Sequence, residues 1–252
     1  MTPVPPEPVT VDARKAISRP WLTQSWLDLT FIHWAVEPRL VAPLLPRGAV
    51  PDTLHGITYV GLIAFRMHRV GWFGLPGMPY LGSFPETNVR LYSVDEHGRR
   101  GVVFRSLDAS RLLPVVVGRA VFGLPYEWAR MAIRRKGDLV RYTSSRRWPG
   151  PRGAYSRITV RVGEPVDEAT ELEHFLTARW GLHNAFLGRT GYVPNDHPRW
   201  PLHRATLLQC DQDLVGTAGL PVPLGEPVSV LYSPGVPVRF GVAGRPAGIA
   251  TP

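Results

Sequence analysis

Residues 88–107 read NVRLYSVDEHGRRGVVFRSL, which is the pattern of a β-hairpin. Asn88–Val94 and Arg99–Leu107 are rich in β-branched and aromatic residues, and Asp95–Gly98 between them ends in glycine. A four-residue loop of this composition commonly connects two antiparallel strands. We therefore predict a hairpin at this point in the chain.

Side chains alternate between the two faces of a strand, so the first strand of this hairpin has two different faces. Glu86, Asn88 and Arg90 share one face, and Val89 and Leu91 share the other. A row of this kind can hold a carboxylate ligand, because a guanidinium binds a carboxylate through two hydrogen bonds. It can also be an outer face that is polar because it contacts water. The sequence leaves both interpretations open.

The pairing of the hairpin decides where Arg105 points. If Asp95–Gly98 is the loop, Asn88 pairs with Arg105, and if His97-Gly98 alone is the loop, Arg90 does. Both registers place Arg105 on the polar face, because a shift of two residues preserves the alternation. A bulge would break this inference.

Outside the hairpin, many short segments predict strands and only a few predict helices. Further strands are predicted at Trp26–Ile32, Ile57–Arg66, Val115–Val117, Leu139–Ser144, Ile158–Val162, Arg204–Leu208, Ser229–Tyr232 and Val236–Phe240. Helices are predicted over Glu37–Leu45 and after Thr170, which has the spacing of a capping box with Glu173. Gly71–Pro85 is rich in glycine and proline and predicts a loop.

This arrangement favours a mainly β (α+β) fold, with a mostly antiparallel sheet or barrel and two or three helices. Residues 1–20 contain five prolines, and we predict an extended N-terminal arm there. We predict a single domain over residues 21–245 and a C-terminal tail over residues 246–252.

The composition excludes several classes of protein. The 252 residues are 44% hydrophobic and 19% charged, which is typical of a globular protein. The net charge is +9, but the arginines are scattered and no nucleic-acid-binding motif is visible, so we expect no nucleic-acid partner. The longest apolar stretch is too short to span a membrane, and the first residues carry no export signal. With one cysteine, Cys210, the chain has no disulfide framework, and we expect a cytoplasmic protein without a membrane partner.

Motifs for phosphate binding, dinucleotide binding and serine hydrolysis are absent from the sequence. None of the eight histidines forms an HExxH motif, and His183, His197 and His203 have spacings that fit no metal loop. We therefore predict neither a metal nor a cofactor.

Six short motifs, taken in order, resemble the YqjF-like proteins, a branch of the acetoacetate decarboxylase-like superfamily with no established function. They are Trp26–Trp34, Phe84–Arg90, Phe104–Asp108, Leu124–Tyr126, His197–Trp200 and Ser233–Val236. The segments Leu44-Leu45-Pro46 and Gly118-Arg119 also resemble segments of that superfamily. The resemblance implies an antiparallel, cone-like β-barrel that encloses a pocket, and it implies self-association into a homo-oligomer.

The same resemblance implies where the site lies and what it lacks. Glu86 and Arg119 stand where acetoacetate decarboxylase keeps its pocket glutamate and its Gly-Arg pair. The paired lysines of that enzyme fall at Tyr126 and Glu127. Its decarboxylation needs an amine of lowered pKa that forms a Schiff base, and neither residue has one. We therefore expect no acetoacetate decarboxylase activity.

The predicted site contains two catalytic and four substrate-binding residues. The catalytic residues are Glu86 and Tyr126, and the binding residues are Asn88, Arg90, Arg105 and Arg119. Plain structural roles are open for three of them. Arg119 can bond backbone carbonyls, Tyr126 can pack in the core, and Asn88 can hold a loop.

Two functions stay open at this point. One is a lyase-like or isomerase-like enzyme that performs acid–base chemistry on a small oxo-acid or another carbonyl compound, without a Schiff base. The other is a non-catalytic protein that binds a small ligand. Both functions imply a small organic partner that carries a carboxylate or a carbonyl group.

Overall fold

The computed structural model describes residues 4–186, 189–222 and 224–242. Most elements in these ranges are strands, which confirms the mainly β class. The predicted tail at residues 246–252 lies outside the described residues. In the described part of the chain, no helix is long and apolar enough to cross a membrane.

Twelve strands and four short helices form the described structure. The strands are β1 (Leu22–Val36), β2 (Ala49–Pro51), β3 (Thr58–Trp72), β4 (Phe84–Asp95), β5 (Arg100–Ala109), β6 (Tyr126–Lys136), β7 (Leu139–Trp148), β8 (Tyr155–Pro165), β9 (Gly181–Phe186), β10 (Arg189–Asp196), β11 (His203–Gln212) and β12 (Ser229–Phe240). The helices are α1 (Pro38–Val41), α2 (Leu112–Phe122), α3 (Glu171–Thr177) and α4 (Leu214–Thr217), and a 3-10 turn at Ala42–Leu44 follows α1.

All of these strands belong to one sheet. Their order is β10-β9-β5-β6-β7-β8-β11-β12-β1-β3-β4-β2, with further pairings of β10 with β12 and of β5 with β4. Most pairs are antiparallel, as predicted, and β5 runs parallel to β6 and to β9, so the sheet is mixed. Parallel neighbours need a crossover connection, and α2 supplies it between β5 and β6.

The predicted hairpin is formed by β4 and β5. Asp95 closes its loop, because one carboxylate oxygen accepts the backbone N–H groups of His97 at 3.0 Å and Arg99 at 2.9 Å. Gly98 has a φ of 77°, a left-handed conformation that glycine adopts without steric cost. Local side-chain-to-backbone bonding therefore builds the turn that the sequence predicts.

A bulge in β5 changes the register of the hairpin. From Glu86 to Val89 the pairing is that predicted for a two-residue loop, whereas from Arg90 to Val94 it matches neither predicted register. Val89 pairs with Ser106, whereas Arg90 pairs with Phe104. Arg105 is the extra residue between these two pairs, and a bulge of this kind changes the face on which the following residues lie. The prediction that Arg105 shares the face of Glu86 is therefore wrong.

The strand predicted at Val115–Val117 is also wrong, since these residues lie inside α2. The helix ends at Gly123, whose φ of 62° is left-handed. The Gly123 N–H donates to the Arg119 carbonyl, and the Leu124 N–H donates to the Gly118 carbonyl. This C-terminal cap and the tertiary packing outweigh the preference of valine for strands.

Other predicted elements change mainly in extent. The strands predicted at Ser229–Tyr232 and Val236–Phe240 are one continuous strand, β12. The helix predicted over Glu37–Leu45 divides into α1 and the 3-10 turn. Four strands had no prediction, namely β2, β6, β9 and β10.

Both faces of β4 are buried, and neighbours pair with it on both edges. Val89 and Leu91 belong to an apolar core with Leu62. On the opposite face, Glu86 is 3% exposed and Asn88 is 4% exposed. The interpretation of this polar row as an outer face in contact with water is therefore wrong.

We expect the replacement Thr170→Ala to lower the free energy of unfolding by about 1 kcal/mol. The Thr170 hydroxyl accepts the Glu173 N–H at 3.3 Å, and the Glu173 carboxylate accepts the Thr170 N–H at 2.8 Å. Urea denaturation measures the change, with Thr53→Ala at an exposed position as the control. An unchanged midpoint for Thr170→Ala would show that the capping box contributes nothing to stability.

Candidate functional site

A cavity of about 280 Å³ lies against the polar face of β4. Side chains from β1, β3, β4, β5 and α2 line it, and most of them are apolar or aromatic. Apart from tryptophan, the lining residues with polar side-chain groups are Gln24, Glu86, Asn88, Arg90, Tyr126 and Asn184. A small, mostly apolar cavity with a few polar groups is typical of a small-molecule site.

Glu86 is a carboxylic acid in the wall of this cavity. The Tyr126 hydroxyl donates a hydrogen bond to its carboxyl oxygen Oε2 at 3.2 Å. Burial raises the pKa of Glu86 to about 8, since the charged form loses its water. Hydrogen bonds from Tyr126 and Asn88 offset part of this rise, and the negative charge of Asp108 adds to it. The carboxyl is therefore mostly protonated at neutral pH and ionises just above it.

The Tyr126 side chain lies between Glu86 and α2. Tyr126 begins β6 and pairs with Leu107 of β5. A Cβ atom on Gly118 of α2 would lie 2.4 Å from the ring, so glycine makes this approach possible. Burial and the neighbouring Glu86 raise the pKa of Tyr126 well above its usual value, so the hydroxyl keeps its proton and acts as a donor.

Arg119 supports this segment from outside the cavity. Its guanidinium donates to the Tyr126 carbonyl at 2.7 Å and lies 3.5 Å from the Glu127 carboxylate. It is not among the residues that line the cavity. The structure therefore places Arg119 in contact with the backbone that carries Tyr126.

Arg105 also lies away from the cavity lining, as the bulge in β5 requires. Its Nε donates to the Ala218 carbonyl and its Nη1 to the Leu44 carbonyl, each at 3.1 Å. Arg105 thus joins β5 to the ends of two short helical segments. The four predicted binding residues do not all converge on one site.

Arg90 does line the cavity, and it is the predicted arginine that can meet a ligand there. Its Nη2 donates to the Leu176 carbonyl at 3.0 Å, and its Nε donates to the Tyr92 hydroxyl at 3.3 Å. Both partners are uncharged, and within the described residues Arg90 forms no ion pair with a carboxylate. Its positive charge is therefore available to an anionic ligand.

A buried network that sequence reasoning missed holds Arg90 in place. The Tyr92 hydroxyl donates to the Leu176 carbonyl at 2.8 Å and lies 2.7 Å from Nε2 of His33. Burial, with the charges of Arg90 and Arg179, lowers the pKa of His33 well below its usual value. A neutral His33 then donates its Nε2–H to Tyr92. No spacing in the sequence connects these residues, since they lie on different elements.

Two buried polar atoms on lining residues have no hydrogen-bond partner in the described part of the chain. They are Oδ1 of Asn88, which can accept a hydrogen bond, and Nε1 of Trp26, which can donate one. The Trp26 ring lies parallel to that of Trp200, with 6.0 Å between the ring centres. Unpaired polar atoms are costly in a protein interior, and at a cavity either water or a polar ligand can pair with them.

The described ranges contain no group of three or more His, Cys, Asp or Glu side chains arranged to hold a metal ion. The polar groups that line the cavity are a carboxyl, a phenol hydroxyl, amides, indole N–H groups and a guanidinium.

Comparison with known sequences agrees with the motifs. The family model DUF2071, described as an uncharacterized conserved protein, matches residues 23–237. The uncharacterized protein YqjF of Bacillus subtilis (strain 168) is 30% identical over 220 residues, which cover 85% of this chain and 90% of that protein. These matches confirm the resemblance that the sequence motifs indicate.

Solved structures of several enzymes have a similar fold. The enduracididine biosynthesis enzyme MppR complexed with pyruvate has a TM-score of 0.58 at 15% identity, covering 91% of this chain and 92% of its own. An acetoacetate decarboxylase-like enzyme from Sphingomonas wittichii RW1 has a TM-score of 0.59 at 13% identity, covering 88% and 91%. The acetoacetate decarboxylase of Legionella pneumophila has a TM-score of 0.58 at 14% identity, covering 92% of both chains. At such identities the likeness shows the fold alone.

We expect stability to fall with rising pH because of Glu86. Its pKa is raised from 4.5 to about 8 on folding, so its stabilising contribution is complete below pH 4.5 and is lost as the pH rises through 8. The replacement Glu86→Gln keeps a neutral side chain at every pH. Relative to wild type, this variant should gain on the order of 4 kcal/mol between about pH 4.5 and pH 9.

Urea denaturation at a series of pH values measures this difference. Glu168→Gln, an exposed carboxylate with the same chemical change, is the control and should follow the wild type. Parallel stability profiles for wild type and Glu86→Gln would show that Glu86 does not titrate with a raised pKa.

Proposed function

This chain belongs to the DUF2071 family, and we propose that its cavity binds a small oxo-acid and exchanges a proton on the carbon beside the oxo group. The support for this function is Glu86, a 3% exposed carboxyl with a pKa of about 8 that is hydrogen-bonded to Tyr126 at the cavity wall. A group that ionises near the working pH is suited to give and to take protons.

The two predicted catalytic residues have complementary parts in this reaction. The ionised Glu86 carboxylate takes a proton from the carbon next to the carbonyl, so the C–H bond breaks and an O–H bond forms on Glu86. The electron pair moves to the carbonyl oxygen and gives an enolate. The Tyr126 hydroxyl turns from Glu86 to that oxygen and stabilises its charge with a hydrogen bond. Return of the proton from Glu86 to carbon restores the oxo-acid.

Arg90 supports the assignment of an acid as the ligand. A cavity cation without a carboxylate partner in the described structure attracts an anionic group, and a guanidinium holds a carboxylate with two hydrogen bonds. Asn88 lies between Arg90 and Glu86 on the same face of β4. Its unpaired Oδ1 can accept a hydrogen bond from a hydroxyl or enol group of the ligand.

The positions of the lysines support a reaction without a Schiff base. The chain has two lysines, Lys15 and Lys136, and neither is among the residues that line the cavity. Proton transfer by Glu86 needs no covalent intermediate, so a cavity with this lining can carry it out.

A second candidate function is binding of the ligand without a reaction. It is favoured by the largely apolar lining and by the hydrogen bond that Glu86 and Tyr126 make to each other, which leaves both groups satisfied before any ligand enters. A binding protein of this kind would return its ligand unchanged, including the hydrogens on the carbon beside the oxo group.

We expect the protein to catalyse exchange of the methyl hydrogens of pyruvate for deuterium in D₂O, as followed by proton NMR. The rate should rise with pH through about 8, because the base is the ionised form of Glu86. Glu86→Gln should lower the rate by a factor on the order of 100 or more, which is the usual contribution of a general base. Tyr126→Phe should lower it less, since it removes only the hydrogen-bond donor.

Glu168→Gln is the matched control and should leave exchange unchanged. An equal rate for wild type and Glu86→Gln would contradict the catalytic assignment. Pyruvate that raises the melting temperature but keeps its hydrogens after long incubation would favour the binding protein instead.

A further inference from the structure

The mouth of the cavity can be located from side chains that both line it and contact water. Met78 and Leu81 are 39% and 36% exposed, and Leu113 is 54% exposed. The first two belong to the loop at residues 73–83, and the third belongs to the first turn of α2. The cavity therefore opens between this loop and α2.

The surface around the mouth is apolar. On the loop, Phe73, Leu75 and Tyr80 are 77%, 67% and 70% exposed. On α2, Leu112, Val116 and Val121 are also exposed. Exposed apolar side chains on both sides of a cavity mouth offer a surface to another apolar group.

Side chains of the 73–83 loop and its neighbours contact side chains of α2 and the residue before it at the mouth. The guanidinium of Arg111, next to α2, lies 4.2 Å from the ring centre of Tyr80. Further in, the ring centres of Trp21 and Phe122 are 5.1 Å apart, and those of Trp72 and Phe122 are 5.6 Å apart. These rings line the cavity behind the mouth, so the apolar surface continues from outside to inside.

The polar side chains of β4 that line the cavity lie at increasing distances from the loop along the strand. β4 begins at Phe84, directly after the loop, and Glu86 precedes Asn88 and Arg90. At roughly 3.3 Å per residue, Arg90 lies about 13 Å along the strand beyond Glu86. The backbone positions of Glu86 and Arg90 are thus farther apart than the carboxylate and the reacting carbon of a 2-oxo acid. Such an acid meets both groups only where their two side chains span the difference, and the rest of its chain then points to the mouth.

We propose that the ligand is a 2-oxo acid with an apolar chain of several carbons, which leaves the cavity between the 73–83 loop and α2 and lies on the apolar surface there. This inference rests on the proposed function for the position of the acid group, and the mouth and its apolar surface carry the assignment of the chain. Each methylene that leaves water on binding strengthens the complex roughly three- to fourfold.

The test is a series of unbranched 2-oxo acids, from pyruvate through 2-oxobutyrate and 2-oxohexanoate to 2-oxooctanoate. Dissociation constants are measured by calorimetry and deuterium exchange by NMR, on the full chain. We expect the dissociation constant to fall about threefold or more with each added carbon beyond 2-oxobutyrate. An equal affinity for all four acids would overturn the inference.

A pair of variants tests the location of the chain. Leu113→Asn should weaken binding of 2-oxooctanoate about tenfold or more and weaken binding of pyruvate much less, because a short acid does not reach the mouth. Leu208→Asn replaces a leucine of similar exposure on β11 and should change neither affinity. Equal effects of the two variants on 2-oxooctanoate would overturn the assignment of the chain to the mouth.

Failure of this inference can be told apart from failure of the proposed function. Exchange and binding that do not depend on chain length would overturn the inference and leave the function standing. Binding that tightens with chain length, without any deuterium exchange, would overturn the reaction and leave the ligand class standing. Binding of none of the four acids would overturn both.

Discussion

The site depends on the removal of water from one polar row of β4. The strand is paired on both edges and buried on both faces, so Glu86 and Asn88 lie in the protein interior. A charged or polar group in such a place must find a partner or change its protonation state. The pKa of Glu86 is raised to about 8, so its carboxyl keeps its proton at neutral pH. Arg90 donates its hydrogen bonds to uncharged oxygens. The reactivity that we propose for the cavity follows from this dehydration.

Buried charges elsewhere in the described chain are paired, which sets the cavity groups apart. Asp108 lies 2.7 Å from the guanidinium of Arg146, and Asp52 forms an ion pair with Arg179. Pairs of this kind neutralise charges that would otherwise be costly in the interior. Glu86, in contrast, has a tyrosine hydroxyl as its hydrogen-bond partner. A perturbed carboxyl without a cation, at the wall of a cavity, is a feature of functional sites.

The likeness to acetoacetate decarboxylase-like proteins extends over the whole fold, and the chemistry proposed for this cavity differs from that of a Schiff-base enzyme. The sequence resemblance implies that Tyr126 stands where the decarboxylase has a lysine. A tyrosine whose pKa is raised by burial stays neutral and donates a hydrogen bond, whereas an amine can attack a carbonyl. One fold can in this way hold different reactions, because the reaction is determined by the few side chains that reach the cavity.

The sequence by itself determined the mainly β class, the β4–β5 hairpin, the capping box of α3 and the family. These features follow from alternation, turn residues and short motifs, which act between residues that are close in the chain. It also identified Glu86, Asn88, Arg90 and Tyr126, all of which line the cavity. Only the tertiary structure decided the positions of the other two arginines, Arg105 through a bulge and Arg119 through a helix where valines predict a strand. It also decided the apolar lining and the pKa of Glu86, because both depend on elements that are distant in sequence and meet only in the folded protein.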